Sequence, residues 1–336
     1  MAVTTGTNWT CYDSSTMTSR EIYGRTLAEL AKADPRVVAM TADLEKSTAL
    51  NLFGKEFPDR LFNVGIAEQN LFGAAAGMAK SGLIPFASTF AIFACMRAGE
   101  QIRTDIAYQN LPVKIIATHG GISFGHAGTT HHCTEDFAIL RAIPNMTVIC
   151  PADGIETSMA VRACMEIDGP VYMRIGRGFE PPCYEDEDHD FAIGKANVMR
   201  EGTDITVITC GIGVLQSLNA AVTLAEEGIH VRVVNMHTIK PIDREAIIAA
   251  AKDTGRILTV EEHNVLGGLG DAVACVLAEE GLGIQFRKHG LYDTFSAIGY
   301  AEDLYAHYGL DANGIADKVR GMMGVEQSVD DDWEDE

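Results

Sequence analysis

At 336 residues, 47% of them hydrophobic and 22% charged, the chain is long enough for two domains with separate cores and has the composition of a folded globular protein. Its formal net charge of −21 argues against nucleic acid as a partner, so any phosphorylated ligand must be held by positive groups gathered locally. No apolar run reaches the length of a membrane span, and the first residues lack a signal-peptide pattern. The eight cysteines have neither CxxC nor zinc-site spacing, so a cytoplasmic protein with reduced core thiols is expected.

Taken in order, Thr18, Ser19, Arg20 and Glu21 have the S/T-x-x-E form of a capping box. Ile22, Tyr23, Leu27, Leu30 and Ala31 then recur at helical spacing until Pro35. Residues 37–41 read as a buried strand. The loop that follows holds Asp43, Leu44 and Ser47 at the strand's C-terminal end, where open α/β sheets keep their ligand groups. A Gly/Ala-rich helix is expected over 68–79, strands over 84–88 and 113–118, and a helical segment over 91–108 between them. This alternation predicts a parallel sheet covered on both faces.

Glu68 stands in almost wholly apolar and small-residue surroundings, with Arg60 the one basic residue within eleven positions on either side. Desolvation there favours the neutral acid, a poised proton donor. The ordinary alternative is a favourable charge at the positive end of a helix dipole. Phe90 and Phe93, three apart, read on their own as one helical core face.

His119, His126, His131 and His132 then crowd into a Gly/Thr-rich loop. Their spacing lacks a zinc signature, and histidines that hydrogen-bond a polyhydroxylated substrate and carry protons near neutral pH fit better. A strand at 147–150, a helix at 155–167 and a strand at 171–175 follow, with Arg177 just beyond. The segment 179–192 carries two prolines and a dense acidic run, which marks a linker. Strands at 205–210, 231–235 and 257–261, with helices at 214–227, 244–252 and 272–280, form a second α/β unit. Its Gly211-Ile212-Gly213 lacks the third glycine of a dinucleotide fingerprint, Gln216 standing there. The expected division is 1–178, a linker at 179–192, a second domain at 193–324 and an acidic tail at 325–336.

Four blocks in fixed order, FNVGIAEQN (62–70), GLIPFASTFAIF (82–93), ATHGGISFGHAGTTHH (117–132) and LRAIPNMTVICPADGIET (140–157), resemble the pyrimidine-binding domain of transketolase, a thiamine diphosphate enzyme. The remainder is similar, more weakly, to the third transketolase domain. The resemblance implies two doubly wound α/β domains. It places Glu68 against the aminopyrimidine N1′, where it favours the imino tautomer, and Phe90 and Phe93 against the pyrimidine ring. Met96 stands where a third aromatic is common, and Leu44, beside Asp43, supports the bent cofactor. It sets His131 by the thiazolium and the substrate's first hydroxyls, and Arg20, Ser47, His119 and Arg177 around the substrate phosphate. One departure is Ala127, where the family segment GxDGxTH has an acid that reads a substrate hydroxyl; His126 is a substitute contact.

Family members hold the diphosphate through a divalent cation and a GDG motif in an N-terminal domain, and no GDG occurs here. The resemblance therefore implies the C-terminal subunit of a split transketolase, with no metal on this chain. A separate pyrophosphate-binding subunit would hold Mg2+ or Ca2+, in a heterotetramer of two of each chain. The implied reaction moves a two-carbon ketol unit from a ketose phosphate to an aldose or aldose phosphate. Other readings are an enzyme like 1-deoxyxylulose-5-phosphate synthase, a 2-oxo acid dehydrogenase β subunit, and a non-catalytic assembly subunit, against which the retained Glu68 argues.

Overall fold

The computed structural model describes residues 9–178, 180–187 and 189–325, so all of the acidic tail but Val325 lies outside the described residues. The first helix, α1 (Ser19–Ala33), opens on a reciprocal capping box between Thr18 and Glu21. After it come β1 (Val37–Thr41), α2 (Leu50–Glu56), β2 (Leu61–Asn63), α3 (Glu68–Lys80), β3 (Ile84–Phe90) and β4 (Lys114–Thr118). The first half closes with α4 (Asp136–Ala142), β5 (Thr147–Ile149), α5 (Gly154–Ala163) and β6 (Val171–Arg174). The second half contains β7 (Asn197–Arg200), β8 (Ile205–Thr209), α6 (Gly213–Glu226), β9 (Val231–Asn235), β10 (Thr238–Lys240), α7 (Arg244–Thr254), β11 (Arg256–Asn264), α8 (Leu269–Glu279), β12 (Gln285–Leu291), α9 (Ala301–His307) and α10 (Ala312–Met323). Among the described residues no helix is long and apolar enough to cross a membrane.

These strands form a seven-stranded sheet, β10-β5-β6-β4-β3-β1-β2, and a five-stranded sheet, β12-β11-β8-β9-β7. Strands β1, β4 and β8 are buried at every position, which explains why such strands read as unbroken apolar runs. The sheets are mixed, not purely parallel. Antiparallel edges are added by β7 on β9 and by β10 on β5. Strand β10 comes from the second half of the chain yet completes the first sheet, with Cys150 N donating to His237 O across the junction at 2.8 Å.

Residues 91–108 are helical but underwound, forming π-turns over Phe93–Arg97 and Ile102–Ala107. Phe90 consequently ends β3 instead of sharing a regular helix with Phe93. The acidic connection is pinned to the first domain, since Asp153 Oδ2 accepts hydrogen bonds from the backbone of Cys183 and Tyr184. Only five of the eight cysteines are buried; Cys11 and Cys275 are exposed and Cys183 is half-buried, against the expectation of core thiols throughout.

A buried ionic seam joins the two halves. Arg174, at the end of β6, meets Asp136 of α4 at 3.2 Å and both the side chain (3.2 Å) and the carbonyl (2.6 Å) of Glu262 on β11. Tyr172 donates to the same Asp136 at 2.6 Å, and Phe137 lies under the guanidinium at 4.6 Å. Burial works against the charge, but Asp136 and Glu262 outweigh it and push Arg174 well above its ordinary value. Gly120 and Gly121 let the backbone pass this side chain, for a Cβ on Gly121 would collide with Arg174 Nη2.

Candidate active site

The chain runs from β1 to β2 on one side and then to β3 on the other, so the first sheet reverses direction between β1 and β3. Ligands of open α/β sheets bind outside the carboxyl ends of the strands at such a point. Asp43 and Leu44 follow β1 there, and Phe90 ends β3 there. His119 follows β4 and Arg177 lies beyond β6, on the same carboxyl edge.

Glu68 opens α3 after a turn at Gly65, and it is 6% exposed. It is not isolated from positive charge, as the sequence surroundings suggested. The π-turn after β3 brings Arg97 back, with Nη1 3.1 Å from Glu68 Oε1 and the guanidinium 3.8 Å above the Phe93 ring. Phe90 and Phe93 are both buried and stack with centroids 5.4 Å apart. Met96 is half exposed, and near Glu68 in sequence Ile66 is largely exposed. A buried carboxyl beside paired aromatic rings at an apolar rim fits a flat heteroaromatic ring with one polar edge.

The other candidates come together unevenly. Arg20 Nη1 donates to the carbonyl of Ser47, which joins the two residues at one point, while Arg20 Nε is buried without a hydrogen-bond partner among the described residues. His119 is buried at a left-handed backbone position, φ +61°, with Nδ1 2.8 Å from Thr118 Oγ1 and its ring 3.9 Å from that of Phe90. Burial, followed by Arg20, Arg177 and His131, lowers its pKa to about 2. The imidazole is therefore neutral at every working pH. Being depressed, it contributes stability that is fully present above the ordinary value near 6.5 and is eroded as pH falls below it. The expected result is that the His119 ring resonance in NMR does not titrate between pH 8 and 5; a midpoint in that window would remove the argument for a desolvated cluster.

His131 is half-buried, 5.4 Å from the Phe93 ring, and His126 is exposed on the short turn Gly125–Ala127. His132 is buried, 4% exposed, with Nε2 3.1 Å from the Gly125 carbonyl, a contact that closes the loop. Sequence reasoning missed Phe124. Its ring contacts Phe90, His119, His126 and His131 at 4.8–5.7 Å, and Arg177 lies 4.9 Å above it. Its signal was being the one phenylalanine in a loop of glycine and histidine. Arg177 makes no ion pair or hydrogen bond among the described residues, unlike Arg174 three positions earlier. Among the described residues no group of three or more His, Cys, Asp or Glu could hold a metal ion.

Fold and site together define a two-domain α/β chain with a buried carboxyl beside paired aromatic rings at a sheet reversal and an Arg/His cluster near it. The chain belongs to the transketolase family: residues 15–179 match the transketolase pyrimidine binding domain and residues 194–315 the transketolase C-terminal domain. It is 46% identical over 308 residues to a Methanocaldococcus jannaschii protein provisionally named as a transketolase C-terminal section, covering 91% of this chain and 96% of that one. It is 42% identical to one of the subunits of apulose-4-phosphate transketolase from Phocaeicola vulgatus, covering 88% and 94%. A solved structure described as a split gene transketolase, inactive beta4 tetramer, superimposes with a TM-score of 0.84 at 45% identity, covering 93% of this chain and all of that one. The family implies dependence on thiamine diphosphate.

Proposed function

We propose that the chain is the C-terminal subunit of a two-subunit transketolase, a transferase that moves a two-carbon ketol unit from a ketose phosphate to an aldose acceptor. The observation that carries this reading is the buried Glu68 carboxyl set against the Phe90/Phe93 pair at an open apolar rim. Bound thiamine diphosphate supplies the nucleophilic carbon and the electron sink for breaking and remaking the carbon–carbon bond.

The chain's own residues hold and orient. Glu68 donates a hydrogen bond to the pyrimidine N1′, beside Arg97, whose side chain is 53% exposed. Phe90, Phe93 and Met96 cover the ring face, while Leu44 and Asp43 border it from the β1 edge. His131 faces the substrate's first hydroxyls. Arg20, Ser47, His119 and Arg177 receive the anionic end, with neutral His119 donating or accepting a hydrogen bond without adding charge. Ala127 removes an acceptor that would read a substrate hydroxyl, and His126 stands next to it.

The diphosphate and its Mg2+ or Ca2+ fall to a separate pyrophosphate-binding subunit, in a heterotetramer of two of each chain in the cytoplasm. The solved relative's description, an inactive tetramer of one subunit type, supports a need for that second chain. The test is to express the chain alone and with its co-purifying partner and assay ketol transfer from a panel of ketose phosphates. Turnover is expected only from the pair. Full turnover by the chain alone, or none from the pair across the panel, would overturn the reading.

A further inference from the structure

The second sheet also reverses direction. From β8 the chain goes to β9 on one side and returns through α7 to β11 on the other. The carboxyl ends of β8 and β11 therefore frame a second crevice of the kind in which α/β sheets bind ligands. A cavity of about 490 Å³ occupies that place, lined by Gly211, Ile212 and Gln216 after β8, by Glu262 of β11 and by Tyr300 at the start of α9. From the first domain, Arg177 and His126 line the same cavity. It is thus continuous with the anionic end of the site described above, and its size suits a small molecule.

The two halves are latched where they share this space. Thr129 Oγ1 donates to the Ser296 carbonyl at 3.0 Å, Gly299 N to the Gly125 carbonyl at 3.4 Å, and the Ile298 side chain packs closely over Gly128. The histidine loop and the 296–300 segment accordingly form one wall, with the rings of His126 and Tyr300 6.5 Å apart.

The polar groups that look into the cavity are mostly donors. Gln216 Oε1 accepts the Ala312 backbone N–H at 3.1 Å, which fixes the amide and leaves its NH₂ without a partner among the described residues. Tyr300 lines the cavity while 72% exposed, and its hydroxyl also lacks a partner among the described residues, as does the guanidinium of Arg177. The fourteen-residue α6 begins here with no acid in its first turn, so its positive end is uncompensated. Of the acids in the lining, Glu262 is engaged by Arg174, by the Ile122 N–H and by the Tyr305 hydroxyl, and Glu302 is exposed at the rim; burial raises Glu180 to about 7, and its Oε2 is buried without a hydrogen-bond partner among the described residues.

We infer that the second domain takes part in substrate recognition: Gln216 and Tyr300 donate hydrogen bonds to the anionic end of the sugar phosphate that Arg177 holds, and so select for phosphorylated substrates. This rests on the transketolase reading above. The residues are specificity determinants, remote from the bond that is cleaved.

The experiment uses the reconstituted pair carrying Gln216→Glu, which keeps the acceptor for Ala312 and replaces the donor with a repelling charge, or Tyr300→Phe. Each is assayed with the best ketose phosphate of the panel, with its dephosphorylated counterpart, and with hydroxypyruvate and glycolaldehyde, which lack the far end. The ratio of kcat/KM between phosphorylated and dephosphorylated ketose is expected to fall at least about 10-fold for Gln216→Glu and about 3-fold for Tyr300→Phe, through KM, with turnover of the short pair unchanged. An unchanged ratio in both variants overturns the inference, and so does an equal loss on the short pair, which signals damage to the fold instead of lost recognition. Wild-type turnover of no substrate, the short pair included, would instead fell the transketolase reading and this inference with it.

Discussion

Replacing Glu68 by glutamine is expected to lower turnover of the reconstituted enzyme by about 10²–10⁴-fold, the range ascribed to a positioned acid or base. Glutamine keeps the size of the side chain and can still accept from Arg97, so the 3.1 Å contact and the packing around α3 survive. What is lost is the group able to exchange a proton at the ring nitrogen. The measurement is kcat under saturating cofactor and substrate, beside a thermal melt of the variant. A wild-type melt with a deep loss of turnover is the predicted pairing, while near-normal turnover would reject Glu68 as the acid. Arg97→Ala separates the two partners, and it should leave more than a tenth of the activity, because Arg97 is half exposed and is assigned no proton exchange at the ring.

The largest effect on stability is expected at Arg174, not at any residue of the site. Arg174→Met fills much of the same volume but leaves Asp136, wholly buried, without its positive partner, and strips a bond from Glu262. Removing one member of a buried ion network costs about 3–5 kcal/mol, since the remaining charges stay desolvated. Urea unfolding should show a large fall in midpoint, and the contacts between the two sheets should loosen first because this seam joins them. A midpoint within error of wild type would show that the network adds nothing to the joint. Arg177, three residues on, has no ion pair among the described residues, and its replacement should leave stability within about 0.5 kcal/mol while impairing function.

Much of the scaffold was legible because buried parallel strands and capped helices announce themselves locally. The limits of β1 and β9 follow from runs of branched apolar residues, and the start of α1 follows from Thr18 and Glu21. Glu68 was conspicuous for a related reason, a lone acid in an apolar stretch. What surrounds it was not. Arg97 lies 29 positions away and reaches it only because the helix after β3 is underwound, a feature that residue spacing does not encode. The choice between the two arginines of RIGRG is similar: one is buried in a seam and the other has no ion pair among the described residues, and only partners 38 and 88 positions from Arg174 distinguish them.

The amino-acid sequence by itself determined the alternating α/β pattern, the family blocks and the residue types at the carboxyl ends of the first sheet's strands, because short-range periodicity and composition fix them. Tertiary structure alone decided that β10 crosses into the first sheet, that Phe124 gathers three histidines and an arginine, and that a second sheet reversal opens onto the same arginine. Each of these depends on contacts between segments far apart in the chain, and such contacts are selected by how the two sheets pack together.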